Sequence, residues 1–307
     1  MEKAEPIISL CLPTNGVIEW VFPVLDSIYS QNVDTSLFEV IVTDNGNNDE
    51  FVRMMIDYEK KHENLTYKKT TAYMFHNQLE ALKIANGKFF KFVNHRAVFT
   101  DNSLQKMIDI IIDNIVEKPV IYFSCGAMNK EHYELDSFDS FIRTLKRSIS
   151  WTTGVGIWKE DYKRIPSDVK IDKISPHSCI LFSERKKNKY IIENYIFSKE
   201  LPVGHAKKGA YDLFKAFAVE EVTIALNLFM DGDISAETFK CVRNDYKKFC
   251  SELYFQFCIK KNACSYDLSG FDSSMGIFFS KNEIIFGAYA LCMRKVFRKI
   301  LGLFKRG

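Results

Sequence analysis

The sequence predicts an α/β fold, in which a mostly parallel sheet with flanking helices is followed by a helical C-terminal extension. Three observations predict it. In residues 1–125, short apolar runs alternate with stretches whose apolar residues recur every three or four positions, which is typical of βαβ units. Several runs are apolar almost throughout, as in strands that are buried on both faces. From residue 210 to residue 260 the helical spacing continues without a clear strand.

The individual elements follow in order along the chain. Strands are predicted at residues 7–12, 38–43, 65–69, 88–93 and 120–125, and helices at residues 16–31, 50–62, 76–85 and 103–116. Asn86-Gly87 is typical of a helix end, and Asp101 is predicted to cap the helix that follows it. Residues 150–158 are β-like, whereas residues 183–190 are typical of a loop or hairpin turn. Residues 231–233 interrupt the later helical pattern, which therefore contains at least two helices.

Composition narrows the class of protein. The chain has 307 residues, of which 47% are apolar and 26% charged, and its net charge is +3. This apolar fraction is sufficient for a core and excludes general disorder, and the near-balanced charge argues against a nucleic-acid binder. The charge is unevenly distributed, since six basic residues and no acid lie between residues 284 and 307. The remainder of the chain is therefore mildly acidic.

The cysteines and the hydropathy both favour the cytoplasm. Eight cysteines are present, none in a CxxC pair or with a zinc-finger histidine partner, so we interpret them as buried free thiols of a reducing compartment. The first residues lack the basic and apolar regions of a signal peptide. No uncharged apolar stretch reaches the roughly 18 residues that a membrane span needs.

Polar residues follow three of the predicted strands. Pro13-Thr14-Asn15 follow the first strand, Asp44-Asn45 the second and Asn94-His95-Arg96 the fourth. Ligands of such sheets bind outside the carboxyl ends of the strands, so we expect these turns to surround one crevice. A carboxylate at a strand end can pair with a nucleobase or a ribose, which makes Asp44 a candidate nucleotide contact. Ordinary turn and helix-cap chemistry is the alternative interpretation of each residue taken alone.

The same stretches carry the motifs of a known family. Residues 6–15 are PIISLCLPTN, residues 39–46 are EVIVTDNG, and Asn77 is followed at residues 85–92 by ANGKFFKF. In this order they resemble the GT-A glycosyltransferases of family 2, bacterial enzymes that build surface polysaccharides. The family pattern is a strand ending in PTYN, a D(D/N)GS-like turn and an AxGKYIxFLD strand. The resemblance is good to about residue 100, loose at residues 151–158 and weak elsewhere.

The resemblance implies a fold, an activity and a set of roles. It implies a Rossmann-like GT-A domain over residues 1–205 that moves a sugar, with inversion, from a nucleotide sugar to a lipid-linked saccharide during O-antigen or capsule assembly. Residues 206–282 would form the helical extension and residues 283–307 a basic amphipathic helix. The implied donor-binding residues are Pro13, Thr14, Asn15, Asp44, Asn45, Asn77, Asn94, His95 and Arg96, of which the last two would lie at the diphosphate.

One motif departs from the family pattern. Where family members carry an Asp-rich motif that holds Mg²⁺ or Mn²⁺, this chain has Asn94, His95 and Arg96, and no carboxylate remains. We therefore assign no metal ligand. Either Arg96, helped by a protonated His95, binds the diphosphate in place of the metal, or the site only binds and no longer catalyses. Asp101 is a further metal candidate, against its interpretation as a helix cap.

The resemblance also implies where the acceptor and the general base lie. Trp151, Gly154 and Trp158 belong to the segment that lines the acceptor pocket in the family, where an indole can stack on a sugar; the alternative is that both tryptophans are core residues. The base is usually a carboxylate just beyond this segment. Asp172 is the first candidate by position and His177 the second, with a solvated charge or helix cap as the alternative for Asp172.

The C-terminal stretch has an amphipathic pattern. Apolar residues at positions 293, 296, 297, 300, 301 and 304 form one face of a helix, and the six basic residues lie on the other. This pattern predicts a helix on an anionic membrane surface, with the protein peripheral on the inner face of the cell membrane. A helix packed on its own domain is the alternative. The aromatic-rich residues 249–257 suit a homo-oligomer interface as well as a core.

Two rival functions stay open beside the transferase. A non-catalytic protein would bind a nucleotide sugar or a second transferase, which the missing metal motif and the missing clear base favour. A sugar nucleotidyltransferase is disfavoured, because residues 13–16 lack the loop rich in Gly, Lys and Arg that its chemistry needs.

Overall fold

The computed structural model describes residues 5–166, 171–173, 175–202 and 211–304, with side chains to Met293. The strands are β1 (Ile8–Thr14), β2 (Phe38–Asp44), β3 (Leu65–Lys69), β4 (Phe89–Phe92), β5 (Ala97–Phe99), β6 (Val120–Phe123), β7 (His132–Leu135), β8 (Gly156–Trp158), β9 (Tyr190–Glu193) and β10 (Ser198–Glu200). The α-helices are α1 (Ile18–Tyr29), α2 (Asp49–Glu59), α3 (Asn77–Ile84), α4 (Ser103–Asp113), α5 (Phe138–Leu145), α6 (Lys159–Lys163), α7 (Pro176–Phe182), α8 (Leu213–Lys215), α9 (Glu221–Met230), α10 (Ala236–Leu253), α11 (Phe271–Ser274) and α12 (Lys281–Phe304).

The chain divides into two compact units. The first comprises Met1–Phe141 and Ser148–Pro202, and the second comprises Ile142–Arg147 and Val203–Gly307. The first unit contains every strand named above. The second contains the helices from α8 onward, so the predicted α/β fold with a helical C-terminal region is confirmed.

The first unit is built on a five-stranded sheet in the order β3-β2-β1-β4-β8. The first four of these strands are parallel, and β8 runs antiparallel to β4. Both faces of the central strands are buried, since Leu10, Cys11, Val40 and Ile41 are inaccessible to solvent. Residues from α1, α2 and α4 complete the main apolar core against this sheet. The sheet therefore holds the carboxyl ends of four parallel strands at one edge.

The fifth predicted strand does not belong to this sheet. The strand at residues 120–123, β6, pairs in parallel with β9, and β9 pairs antiparallel with β7, in a separate three-stranded sheet. It therefore does not extend the parallel sheet, and its hydrogen-bonding partner lies about 70 residues later in the chain. The fifth strand of the main sheet is β8, which lies in the stretch before residue 158 that the sequence predicts to be β-like.

The helix α4 begins differently from the prediction. Its N-cap is Asn102, in the left-handed conformation with a φ of 57°, and no side chain caps the helix by a hydrogen bond. The Ser103 hydroxyl donates to the Thr100 carbonyl at 2.6 Å instead. The prediction that Asp101 caps this helix is therefore wrong; Asp101 is exposed in the preceding turn.

The second unit is helical in its described residues. The break predicted at residues 231–233 separates α9 from α10, and the Ser235 hydroxyl caps α10 by accepting from the Thr238 N–H at 3.2 Å. The last helix, α12, packs on α10. A Cβ at Gly287 would lie 2.4 Å from the Ser251 hydroxyl oxygen, so the close approach of the two helices requires glycine. Among the described helices, none combines the length and the apolarity that a membrane crossing demands.

Candidate active site

The ends of three parallel strands bring polar side chains to one edge of the sheet. In the pairing of β1 with β2, Thr14 lies opposite Asp44, and in the pairing of β2 with β3, Asp44 lies opposite Lys69. The turn after β4 joins them, because 2.9 Å separates the Thr14 Oγ1 from the Nδ1 of His95. The turns that the sequence analysis expects around one crevice do lie together.

The turns after β1 and β2 touch through their backbones. A Cβ at Gly46 would lie 1.9 Å from the carbonyl oxygen of Asn15, so this contact is open only to glycine. Asn15 is exposed and Pro13 half-buried. The side-chain amide of Asn45 donates to the carbonyls of Ala72 and Met74, each at 2.9 Å. It thereby holds both sides of a loop residue, Tyr73, whose side chain is 66% exposed.

Asp44 is the buried charge of the crevice. Its side chain is fully inaccessible to solvent. One carboxylate oxygen accepts from the N–H of Gly46 at 2.7 Å, and the other accepts from the hydroxyl of Tyr67 at 3.1 Å and from the ammonium group of Lys69 at 2.9 Å. Lys69 is not among the residues predicted for the site, although its place at the end of the third predicted strand is the signal that identifies it.

The side chain of Asn77 connects the strand ends that form the crevice. Its amide nitrogen donates to the carbonyls of Thr14 at 3.1 Å and Thr43 at 2.7 Å, and its oxygen accepts from the hydroxyl of Thr70 at 2.8 Å. Both groups of this buried side chain are bonded to protein. Asn77 therefore acts on the crevice by fixing the ends of β1 and β2.

Arg96 is buried, and its guanidinium group is held on three sides. It donates to the carbonyl of Leu201 at 2.7 Å, forms an ion pair with the carboxylate of Glu200, and lies 5.6 Å from the centre of the Trp20 ring. Its positive charge is thus shared with Glu200, whose side chain is 48% exposed. Glu200 lies 104 residues away in sequence, and no local pattern points to it.

His95 is neutral, which corrects the expectation of a protonated histidine. Burial, with the neighbouring Arg96 cation as a second cause, lowers its pKa to about 4. Its ring packs edge-on against Trp20, with 5.1 Å between the centroids. Asn94 shapes the same turn, since its side-chain oxygen accepts from the N–H of Arg96 at 3.0 Å.

The residues at this turn do not fit a divalent cation. Mg²⁺ and Mn²⁺ prefer carboxylate oxygens, and the turn offers an amide engaged in its own backbone, a neutral imidazole and a guanidinium cation. Within the described parts of the chain, no three His, Cys, Asp or Glu side chains cluster as metal ligands would.

Two of the three residues predicted to contact the acceptor, Trp158 and Gly154, are buried and therefore not available to it. Trp158 is buried, its Nε1 donates to the carbonyl of Pro119 at 2.7 Å, and its ring packs on Phe89, so it is a core residue. Gly154 is also buried, and a Cβ there would lie 2.0 Å from the ring of Tyr122. Trp151 alone is partly accessible, although it also packs against the main core.

His177 is buried in a structural role, which corrects its candidacy as a base. Its Nε2 is 2.9 Å from the carbonyl of Ser150 and its Nδ1 is 3.2 Å from the Thr152 hydroxyl oxygen. Since a carbonyl only accepts, Nε2 carries the proton and Nδ1 accepts from the hydroxyl. Burial lowers the pKa of His177 to about 4. A histidine with both nitrogens bonded to protein is not available to a substrate.

Asp172 lies just before α7. Its carboxylate accepts from the N–H of Ser175, the N-cap of α7, at 2.9 Å, and the side chain is partly buried. This contact agrees with its interpretation as a support of the helix start.

The first unit has the fold of the GT-A glycosyltransferases, with a buried aspartate, a histidine and an arginine at the ends of its parallel strands. Residues 9–158 match the family model of glycosyl transferase family 2, and this stretch of the chain is a domain of that family. A comparison with curated protein sequences finds no significant match.

Solved structures agree with the fold. Residues 1–349 of S. aureus TarS in complex with UDP are 16% identical, with a TM-score of 0.61, over 88% of this chain and 79% of that one. The same fragment with UDP-GlcNAc is 15% identical, with a TM-score of 0.58, over 88% and 80%. The mannosyltransferase PcManGT of Pyrobaculum calidifontis, in complex with GDP-Man and Mn²⁺, is 13% identical, with a TM-score of 0.53, over 79% and 71%. The chain spans 48% of a longer TarS structure.

Proposed function

We propose that this chain transfers a sugar from a nucleotide-sugar donor to a lipid-linked saccharide during assembly of a bacterial surface polysaccharide such as O-antigen or capsule. The observation that carries the proposal is the convergence of Thr14, Asp44 and His95 at the ends of β1, β2 and β4. This is the edge at which parallel sheets bind nucleotides. TarS and PcManGT, which share the fold, were solved with nucleotide or nucleotide-sugar ligands.

In this proposal the nucleoside lies against the turns at Thr14, Asn15 and Asp44, and the diphosphate lies against His95 and Arg96. The guanidinium group suits phosphate oxygens, and stabilising a leaving diphosphate is electrostatic work. A guanidinium group has five N–H donors, of which Arg96 gives some to Leu201 and Glu200, and in this proposal the others bind phosphate. Asp172 is the proposed base, and inversion is the proposed outcome.

The test begins with binding. UDP, GDP, CDP and dTDP are titrated by calorimetry, first with Mg²⁺ or Mn²⁺ and then with EDTA. We expect selective binding of one nucleotide that persists in EDTA and is lost in Arg96→Gln. The sugar ester of that nucleotide is then offered with a lipid-linked acceptor. Binding of none of the four would overturn the proposal.

Peripheral membrane association is the second part of the proposal. Phe286, Tyr289 and Met293 are spaced by three and four residues along α12, and their side chains are 73%, 54% and 57% exposed. Ile284 and Ala288 of the same helix are fully buried, so the two faces are distinct. The sequence continues the apolar spacing to residue 304 and adds six basic residues, whose side chains lie outside the described part. An exposed apolar stripe beside basic residues suits an anionic bilayer surface.

A non-catalytic binding protein is the second candidate. The burial of His177 and the contact of Asp172 with the start of α7 favour it, because neither provides an evident base. Turnover of a nucleotide sugar by the purified chain alone would exclude it. Selective nucleotide binding without turnover, with any acceptor supplied, would support it.

A further inference from the structure

The hydrogen-bond network around Thr14 fixes the protonation of His95. The Thr14 hydroxyl is buried and has two partners among the described residues, the N–H of Gly16 at 3.1 Å and the Nδ1 of His95 at 2.9 Å. The N–H of Gly16 can only donate. If Nδ1 also donated, the buried hydroxyl proton would have no acceptor in this network, and an unmade buried hydrogen bond costs about 1–3 kcal/mol. The network is complete only when the hydroxyl donates to Nδ1.

It follows that the other ring nitrogen of His95 carries the proton. No group among the described residues accepts from Nε2, and this atom is not one of the buried polar atoms without a partner. The residue as a whole is half-buried. Nε2–H is therefore a donor presented to solvent in the turn that follows β4, and the Arg96 cation belongs to the same turn.

The surroundings keep the ring neutral and in place. Trp20, from α1, packs edge-on against the ring, and Thr14, from β1, is uncharged. The charged neighbour is Arg96, a cation on the same turn, which opposes a second positive charge on the imidazole.

We propose that His95 donates a hydrogen bond from Nε2–H, as a neutral imidazole, to the diphosphate of the donor substrate, and that Thr14 is the positioning residue that sets this tautomer. The inference rests on the proposed function and assigns the part of His95 in it. During transfer, the acceptor oxygen bonds to the anomeric carbon as the bond from that carbon to the diphosphate oxygen breaks. The electron pair goes to the diphosphate, the acceptor proton goes to the general base, and His95 keeps its own proton throughout.

The first experiment needs no ligand. Long-range ¹H–¹⁵N spectra of the protein labelled at histidine report the tautomer of each ring, and His95→Gln assigns the His95 signals. At a pH of about 5.5, below the ordinary histidine pKa of about 6.5, we expect His95 to be neutral with its proton on Nε2. We expect Thr14→Val to disturb this signal and Thr14→Ser to restore it. Thr152→Val is the control, because the Thr152 hydroxyl lies beside the Nδ1 of His177 in the same way. It should change the signals of His177 and should not affect those of His95.

The second experiment measures binding of whichever of the four nucleoside diphosphates is selected. His95→Ala should weaken it by about tenfold, and His95→Gln, which keeps an N–H donor, by clearly less. An imidazolium ring or a proton on Nδ1 at this pH would overturn the inference even if nucleotide binds normally. Equal binding by wild type and His95→Ala would overturn the donor role while the proposed function stands. Binding of no nucleotide would overturn both.

Discussion

Lys69 and Asp44 form an ion pair at the crevice, with 2.9 Å between the lysine Nζ and the carboxylate Oδ2. The carboxylate is fully buried, whereas the lysine side chain is 42% exposed. The same ammonium group also donates to the carbonyl of Gly46, in the turn that contacts Asn15. The pair therefore joins the ends of β2 and β3. It places a buried negative charge in the crevice, and the lysine that balances this charge is in contact with water.

Asp44→Asn keeps the size of this side chain and removes its charge. We expect the free energy of unfolding to fall by about 1–3 kcal/mol, because Lys69 is left without its carboxylate and is itself partly screened by water. Nucleotide binding should weaken at least tenfold, which is a loss of about 1.4 kcal/mol of binding free energy. Urea denaturation and calorimetry measure the two effects.

Asp57→Asn is the matched control, since Asp57 pairs with Lys60 at the end of α2 and both side chains are 69% exposed. It should leave the stability unchanged within the error of the measurement, because water screens this exposed pair. Unchanged nucleotide binding in Asp44→Asn would limit Asp44 to a structural role.

Lys91 is a buried lysine in the middle of β4. Its ammonium group donates to the carbonyls of Phe92 and Thr153 and lies 5.3 Å from the centre of the Phe123 ring. Burial lowers its pKa to about 7. In the unfolded chain the pKa returns to about 10.4, so between these values the unfolded state binds more protons than the folded state.

Wild-type stability should therefore rise as the pH increases from about 7 to about 10 and be level just below that window. In Lys91→Met we expect this rise to disappear. Urea denaturation at several pH values measures it, with the exposed Lys60→Met as a control that keeps the rise. A rise that persists in Lys91→Met would assign it to another group.

Gly154→Ala tests the packing of the short segment before β8. Its added methyl group would meet the ring of Tyr122 at 2.0 Å, and overpacking of this kind costs about 1–3 kcal/mol or more. Gly232→Ala is the control, because its φ is +79° but nothing lies within 4 Å of the new methyl group. There we expect only the cost of the left-handed backbone, about 1 kcal/mol. Equal losses in the two variants would contradict the packing argument.

The exposed face of α12 predicts vesicle binding. The double variant Phe286→Ser and Met293→Ser should retain its fold and bind vesicles of phosphatidylcholine with phosphatidylglycerol at least tenfold more weakly, since each buried apolar side chain contributes about 1.5–3 kcal/mol. Co-sedimentation measures the binding. Met230→Ser with Ile277→Ser is the control, because these apolar side chains are 72% and 60% exposed elsewhere in the same unit. Equal binding by both double variants would contradict the prediction.

Much of the N-terminal half could be predicted from the sequence, because local signals decide it. The strands at residues 38–44 and 65–69 are bounded by turn residues, and the pairing of parallel strands then places Thr14 beside Asp44. The crevice follows from the rule that polar residues at the carboxyl ends of such strands meet at one edge.

What could not be predicted depends on contacts between distant residues. The core position of Trp158 is decided by Phe89 and the carbonyl of Pro119, and neither lies near it in sequence. The ion pair between Arg96 and Glu200 forms only when β5 and β10 pair. The neutral state of His95 depends on burial, which no local pattern reports.

The single amide of Asn77 bridges two neighbouring strand ends before any ligand arrives. Together with the backbone contact of Gly46 with Asn15, it makes the floor of the crevice preorganised. The entropy of ordering these turns is lost during folding and is not lost again on association. A nucleotide would then bind in one kinetic step whose rate is set by encounter, and differences in affinity between nucleotides would arise in their dissociation rates.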